Sequence, residues 1–296
     1  MEGQHATPIE RPLSIPNLLL DGLDLIFNLR GIGWSWSYKP FPNMSTQSTS
    51  IPVIVAKLLI KLVALDVSHY LMQHFRPSVD TPAGDTLFDP TLSMVPRFAC
   101  AAFYALCGGM VVFATVDVFY HISTLVGRIL LRQPACQWPP VFDHPWTSTS
   151  ITDFWGFRWH QLFRHVFVAF GSRPGWALLG RPGALMGAFA VSGLMHDAGV
   201  WGLGRGTEFR TVGFFLLMGV GAASEHVFKQ VTGHRVGGIW GWAWTMAWTI
   251  CCGTLMIDAW ARRGMIAADI FPYGLRPGKL LIDAVISLSL RESDIR

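Results

Sequence analysis

The chain has 296 residues, of which 51% are hydrophobic, 13% aromatic and only 14% charged, and its formal net charge is +4. Soluble domains carry about 25% charged residues, so this composition excludes a disordered chain, a coiled coil and a basic nucleic-acid-binding domain. It points instead to one all-α, polytopic membrane unit over residues 1–296, a helical bundle in a lipid bilayer.

Residues 1–13 (MEGQHATPIERPL) lack the charged-then-apolar pattern of a signal peptide, so insertion is expected to rely on internal spans. Residues 51–72 are long enough to cross, yet they carry Lys57, Lys61 and Asp66. Two lysines four residues apart suggest snorkelling or an interfacial helix. Residues 76–97, rich in proline and acidic turn residues, read as a loop. The clearest span is 98–120, with Asp117 its one charge, since about 20 apolar residues suffice to cross. Residues 133–150 lack a helical pattern, and further spans are expected at 182–202, 211–229 and 236–260. Lys and Arg are spread nearly evenly over successive loops, so the positive-inside rule does not set the orientation. The five cysteines (100, 107, 136, 251 and 252) form no C-x-x-C and read as buried free thiols.

Two segments carry candidate chemistry. The first is residues 153–165, DFWGFRWHQLFRH. On a helix with Asp153 as N-cap, Trp155, Trp159, Leu162 and Phe163 fall on one face. Arg158, His160, Gln161, Arg164 and His165 fall on the other. Two readings follow: an interfacial helix whose arginines meet lipid phosphates, or a wall for an anionic ligand such as a CoA phosphate, which guanidinium groups suit. The second segment is Ser192 to Asp197, SGLMHD, deep in an apolar run. An ionisable residue there costs roughly 2.5–3.5 kcal/mol at the bilayer centre, so it normally faces protein or a cavity. Gly180, Ala184, Ala188 and Ser192 precede His196 at steps of four, a small-residue stripe that lets a neighbouring helix approach. His196 is then either a hydrogen-bonded core histidine or a general base. Asp197 orients its neighbour or caps a helix break at Gly199. Glu225-His226 reads as a solvated helix end rather than a buried pair, and Asp66, Asp117 and Asp258 as partners to other helices. The pairs His69/His74 and His160/His165 have a spacing that diverges by about 140° on a helix, so no metal is expected. No H-E-x-x-H, G-x-S-x-G, P-loop or Rossmann pattern occurs.

The run Asp153–Arg164, followed 36 residues after His160 by His196 in SGLMHD, resembles the wax-synthase-like branch of the membrane-bound O-acyltransferases. Leu29-Arg30-Gly31-Ile32-Gly33-Trp34 and Trp138-Pro139-Pro140 resemble the same branch, especially its fungal members, which acetylate terpenoid and meroterpenoid hydroxyls in secondary metabolism. The resemblance covers roughly 138–202 with patches from 22 to 34. Many members carry more spans before the Arg30 element, so the chain reads as N-terminally short. The resemblance implies His196 as catalytic and His160 as the second polar residue of the site. It groups Arg158, Trp159, Gln161, Arg164 and Asp197 with substrate binding. It implies acetyl-CoA as co-substrate, a lipophilic alcohol as acceptor, no further cofactor, and a multi-pass protein of the endoplasmic reticulum. Within the class, a long-chain wax or sterol-ester synthase is the alternative; outside it, a transporter with His196 and Glu225 lining a polar path.

Overall fold

The computed structural model describes residues 14–35, 49–272 and 274–294, and no strand occurs among them. The N-terminal residues read for a signal pattern lie outside that set. The helices are α1 (Ile15–Phe27), α2 (Ile51–Phe75), α3 (Met94–Leu125), the single turns α4 (Ile151–Asp153) and α5 (Arg164–Phe167), then α6 (Arg173–Gly202), α7 (Arg210–Thr232), α8 (Gly238–Arg262) and α9 (Pro277–Asp294). Among the described residues, three helical stretches are long and apolar enough to cross a membrane: Met94–Leu130, Arg164–Gly202 and Arg210–Thr232. The expected spans at 98–120, 182–202, 211–229 and 236–260 all fall on long helices, and α8, with 25 residues, is the tryptophan-rich one.

Ion pairs inside the bundle join helices rather than marking solvated ends. Lys61 of α2 meets Asp117 of α3 at 3.1 Å and sits 4.0 Å above the Phe113 ring, so this lysine points at α3 instead of snorkelling. Asp66, wholly buried, accepts from Arg276 and from the first amides of α9, Gly278 at 2.7 Å and Lys279 at 3.2 Å. Asp258 of α8 accepts from Arg210, Arg262, Thr86 and the Leu87 amide, tying the 76–93 loop to α7 and α8. The five cysteines are free, but Cys100 and Cys251 are exposed on the outside of α3 and α8, which corrects the expectation that all were buried.

The stretch Arg164–Gly202 is a hairpin rather than a straight rod. Leu179 leaves the helix and Gly180 adopts φ 63°, ψ −143°, which glycine tolerates at little cost. The chain then doubles back. A Cβ on Gly187 would stand 2.3 Å from the Gly171 carbonyl oxygen, and one on Gly175 would stand 2.1 Å from that of Gly183. Four glycines at four-residue spacing thus let two backbones touch. Replacing Gly187 with alanine sets a methyl group against backbone that cannot rotate away. The expected loss is about 2–3 kcal/mol of stability, in the range for overpacking. Thermal unfolding in detergent checks it, with Gly199→Ala as comparison. Nothing lies within 4 Å of a Cβ at Gly199, so that variant should hold or gain stability through helix propensity.

Candidate active site

The segment 138–163 builds one wall of the site. Trp138 packs on Gly127, where a Cβ would fall 2.2 Å from its ring, and donates its indole N–H to Gln133. Arg30 donates to the carbonyls of Pro139 (2.9 Å) and Pro140 (3.1 Å), and the Tyr120 hydroxyl donates to Pro139 at 2.5 Å. The Arg30 element and the Trp-Pro-Pro loop, more than 100 residues apart in the chain, are therefore one structural unit.

The single amphipathic helix expected over 153–165 is not formed. Ser150, not Asp153, caps the first turn, its hydroxyl accepting from the Asp153 amide. A widened turn runs over Phe154–Arg158, Trp159 is extended at φ −72°, ψ 156°, and helix resumes only at Arg164. A break of this kind frees backbone carbonyls that must find donors. Gln161 supplies them to Trp155 and Trp159, at 3.1 and 2.7 Å, and Arg164 supplies one to Gly156 at 2.8 Å. Arg158 is held by Asp153 at 2.5 Å and by Thr147. The polar side chains that gave the segment its helical periodicity are thus the ones that stabilise its irregular path.

Behind this wall lies a cavity of about 610 Å³, lined almost wholly by apolar and aromatic groups from α3, α6, α7, α8 and the 151–172 segment. His160, Trp159, Gln161, Arg164 and His196 line it; Arg158 and Asp197 do not. The stripe Ala184, Ala188, Ser192 also faces the cavity instead of a packed helix, and leads along α6 to His196. The close helix contact expected of that stripe is made by Gly183 and Gly187 on the adjoining face.

His196 sits two turns inside the end of α6. Gly193 lets the α7 backbone at Val212 approach, so that Phe215 packs, tilted by 34°, against the His196 ring with centroids 4.5 Å apart. Nδ1 of His196 lies 2.7 Å from the Ser192 carbonyl oxygen. A carbonyl only accepts, so Nδ1 carries the proton and Nε2 keeps its lone pair. Asp197 points away and accepts from the Glu208 amide at 2.6 Å, holding the turn into α7. His160 is wedged among Phe142, Trp159 and Phe163, and its Nδ1 is buried with no hydrogen-bond partner. Burial, with the neighbouring His196 as second cause, pushes the His160 imidazole down to about 4, so it works as a neutral ring.

Sequence reasoning missed two contributors. Glu225, read as a solvated helix end, is buried and accepts four hydrogen bonds, from the Ile151 and Thr152 amides, the Thr152 hydroxyl and the Trp244 indole. Its neighbours Ala222 and Gly221, small residues on one α7 face, were the available signal. Thr249, inside a tryptophan-rich span, is a lining residue of the cavity, and its buried hydroxyl has no partner.

An all-helical bundle with apolar, span-length helices and two histidines lining one largely apolar cavity defines a membrane-associated protein with a polar centre set in apolar surroundings. Residues 138–217, which hold both histidines, match the model of the Membrane bound O-acyl transferase family. Over 218 residues (66% of this chain and 48% of the relative) the chain is 26% identical to the O-Mevalon transferase yanI of Aspergillus niger. It is 26% identical over 244 residues, 76% of this chain and 62% of the relative, to the acetyltransferase ple2 of Rhodocybe pseudopiperita. Over 106 residues (33% of this chain, 30% of the relative) it is 35% identical to a long-chain-alcohol O-fatty-acyltransferase of Simmondsia chinensis. The chain spans from about a third to under two thirds of the length of these relatives. The resemblance to the wax-synthase-like, fungal acetyltransferase type is therefore borne out.

Proposed function

We propose that the protein is an acyl-CoA-dependent O-acyltransferase, multi-pass in the endoplasmic reticulum membrane. It moves an acetyl group from acetyl-CoA to a hydroxyl of a lipophilic terpenoid-like alcohol. The observation that carries this reading is the pair His196 and His160 in one apolar cavity, with the His196 Nδ1 engaged by the Ser192 carbonyl and Nε2 left as a base. In a water-poor site neutral imidazole can take an alcohol proton, a contribution of roughly 10²–10⁴ in rate. Holding donor and acceptor in one cavity supplies the proximity, so no acyl-enzyme is required. His160 orients the acyl carbonyl. Gln161 and Arg164 act on the backbone of the wall, and Trp159 forms part of the apolar lining. Arg158 and Asp197 act from outside the cavity, on the loops that frame it. Transfer of long acyl chains is the second reading, favoured by the 35% identity to the Simmondsia chinensis enzyme; competition between acetyl-CoA and palmitoyl-CoA separates the two.

The test does not depend on guessing the acceptor. Purified protein in detergent is melted with and without CoA, with dephospho-CoA as control. A ligand at 100 times its Kd adds about 2.7 kcal/mol, so CoA is expected to raise the melting temperature clearly and dephospho-CoA less. Absence of any shift at millimolar CoA in a folded sample overturns the reading.

A further inference from the structure

The wall of the cavity holds a buried donor that the reaction as described does not use. The indole N–H groups of Trp34, Trp138, Trp242, Trp244 and Trp248 all donate to oxygen atoms of the protein, at 2.7 to 3.1 Å. Among the described residues, two buried indole nitrogens have no partner, those of Trp155 and Trp260. Only the first of these residues lines the cavity. A buried indole usually finds an acceptor, and its N–H can only donate. Around Trp155 stand Phe189, Phe214 and Phe215, at ring distances of 5.7–6.1 Å, which offer an N–H no oxygen or nitrogen acceptor, only the weak acceptance of a π face. Phe215 is also the ring packed against His196, and Trp159, 5.9 Å from Trp155, is the ring beside His160. Trp155 is therefore one ring removed from each histidine. Its backbone is fixed there, because its carbonyl is held by Gln161.

We propose that Trp155 is a catalytic residue whose indole N–H donates to the acyl carbonyl oxygen as negative charge develops on it. This rests on the acyltransferase reading. In the step concerned, the acceptor oxygen attacks the thioester carbon and its proton passes to Nε2 of His196. The carbonyl oxygen takes the negative charge. Collapse reforms the carbonyl and breaks the C–S bond, and the thiolate recovers the proton from His196 as free CoA. The side-chain amide of Gln161 is engaged by backbone carbonyls, so it is not available to the oxyanion. Trp155 takes that place beside His160. A donor-only group in an apolar wall suits the task, since it cannot turn to accept from substrate and is already in place when charge appears.

The test separates this proposal from the reading beneath it. Two non-reacting ligands are compared: the ketone analogue of acetyl-CoA, in which a methylene replaces the sulfur, and the same molecule without its carbonyl oxygen. Wild-type protein is expected to bind the ketone several-fold more tightly, up to about 10-fold for one neutral hydrogen bond. Trp155→Phe should bind both analogues, and free CoA, about equally. In turnover its kcat should fall about 10²-fold or more, the size of one lost oxyanion donor, with KM within a few-fold. Trp155→His, which restores a ring N–H, should recover part of the ketone preference and guards against a folding defect in the phenylalanine variant. A wild-type protein that binds no CoA overturns the acyltransferase reading and this proposal together. A Trp155→Phe variant that binds CoA and keeps the ketone preference overturns the role of Trp155 alone.

Discussion

Replacing His196 with alanine is expected to lower acyl transfer by about 10²–10⁴-fold, the contribution of a positioned general base. The fold should survive. The hydrogen bond from Nδ1 runs only to Ser192, one turn back on the same helix, and its loss costs about 1 kcal/mol. Alanine is also the strongest helix former, which offsets part of that. His196→Gln is the sharper companion variant. It keeps side-chain volume against Phe215 but offers no nitrogen that can take a proton at neutral pH. Both variants should therefore be inactive while melting close to wild type and still gaining stability from CoA. The measurement is transfer of radiolabelled acetyl from acetyl-CoA to a panel of lipophilic alcohols, beside thermal unfolding. Turnover within a few-fold of wild type in either variant would sink the general-base role.

His196 was legible because one imidazole in an otherwise apolar run needs a reason to be there, and the stripe before it marked the face it shares. The partner of that face was not legible. Small residues at four-residue steps permit either a packed helix or an open groove. The structure uses both, on adjacent faces of α6: Gly183 and Gly187 touch backbone, while Ala184 and Ala188 face empty space. The segment around His160 misled for a different reason. Its polar residues fall at helical spacing, yet Gln161 and Arg164 use their side chains to replace helical hydrogen bonds rather than to reach solvent or phosphate. Periodicity reports which side chains share a face of an assumed helix, not whether the backbone keeps it. Trp155 was assigned to the apolar face for the same reason. Its ring is indeed packed among aromatics, and only the missing acceptor for its N–H shows a further use. The long helices of the bundle, where apolar length alone decides, were read with boundaries good to a few residues.

Glu225→Ala is expected to cost about 3 kcal/mol or more and to impair the site from a distance. The carboxylate stands at the N-terminus of α4, where helical amides have no partner within the chain turn. It takes two of them, Ile151 at 2.6 Å and Thr152 at 3.1 Å, while Ser150 takes a third, that of Asp153, at 2.9 Å. Its negative charge also suits a helix start, and the Thr152 hydroxyl at 2.8 Å and the Trp244 indole at 3.1 Å complete its shell. One side chain thus ties α7 and α8 to the beginning of the segment that carries Trp155 and His160. Alanine leaves four donors facing an apolar gap. A single unmet buried donor costs about 1–3 kcal/mol, and inward movement of the segment or entry of water recovers only part of the sum. Glutamine should do less harm: its carbonyl oxygen can still accept from Ile151 and Trp244, and the Thr152 hydroxyl can turn to accept from its amide. The order wild type, then Gln, then Ala is therefore expected in melting temperature. The same order is expected in kcat, because a loosened first turn shifts the wall that holds His160. An Ala variant that melts within about 0.5 kcal/mol of wild type, the scatter of ordinary surface substitutions, would show that the carboxylate does not anchor the segment.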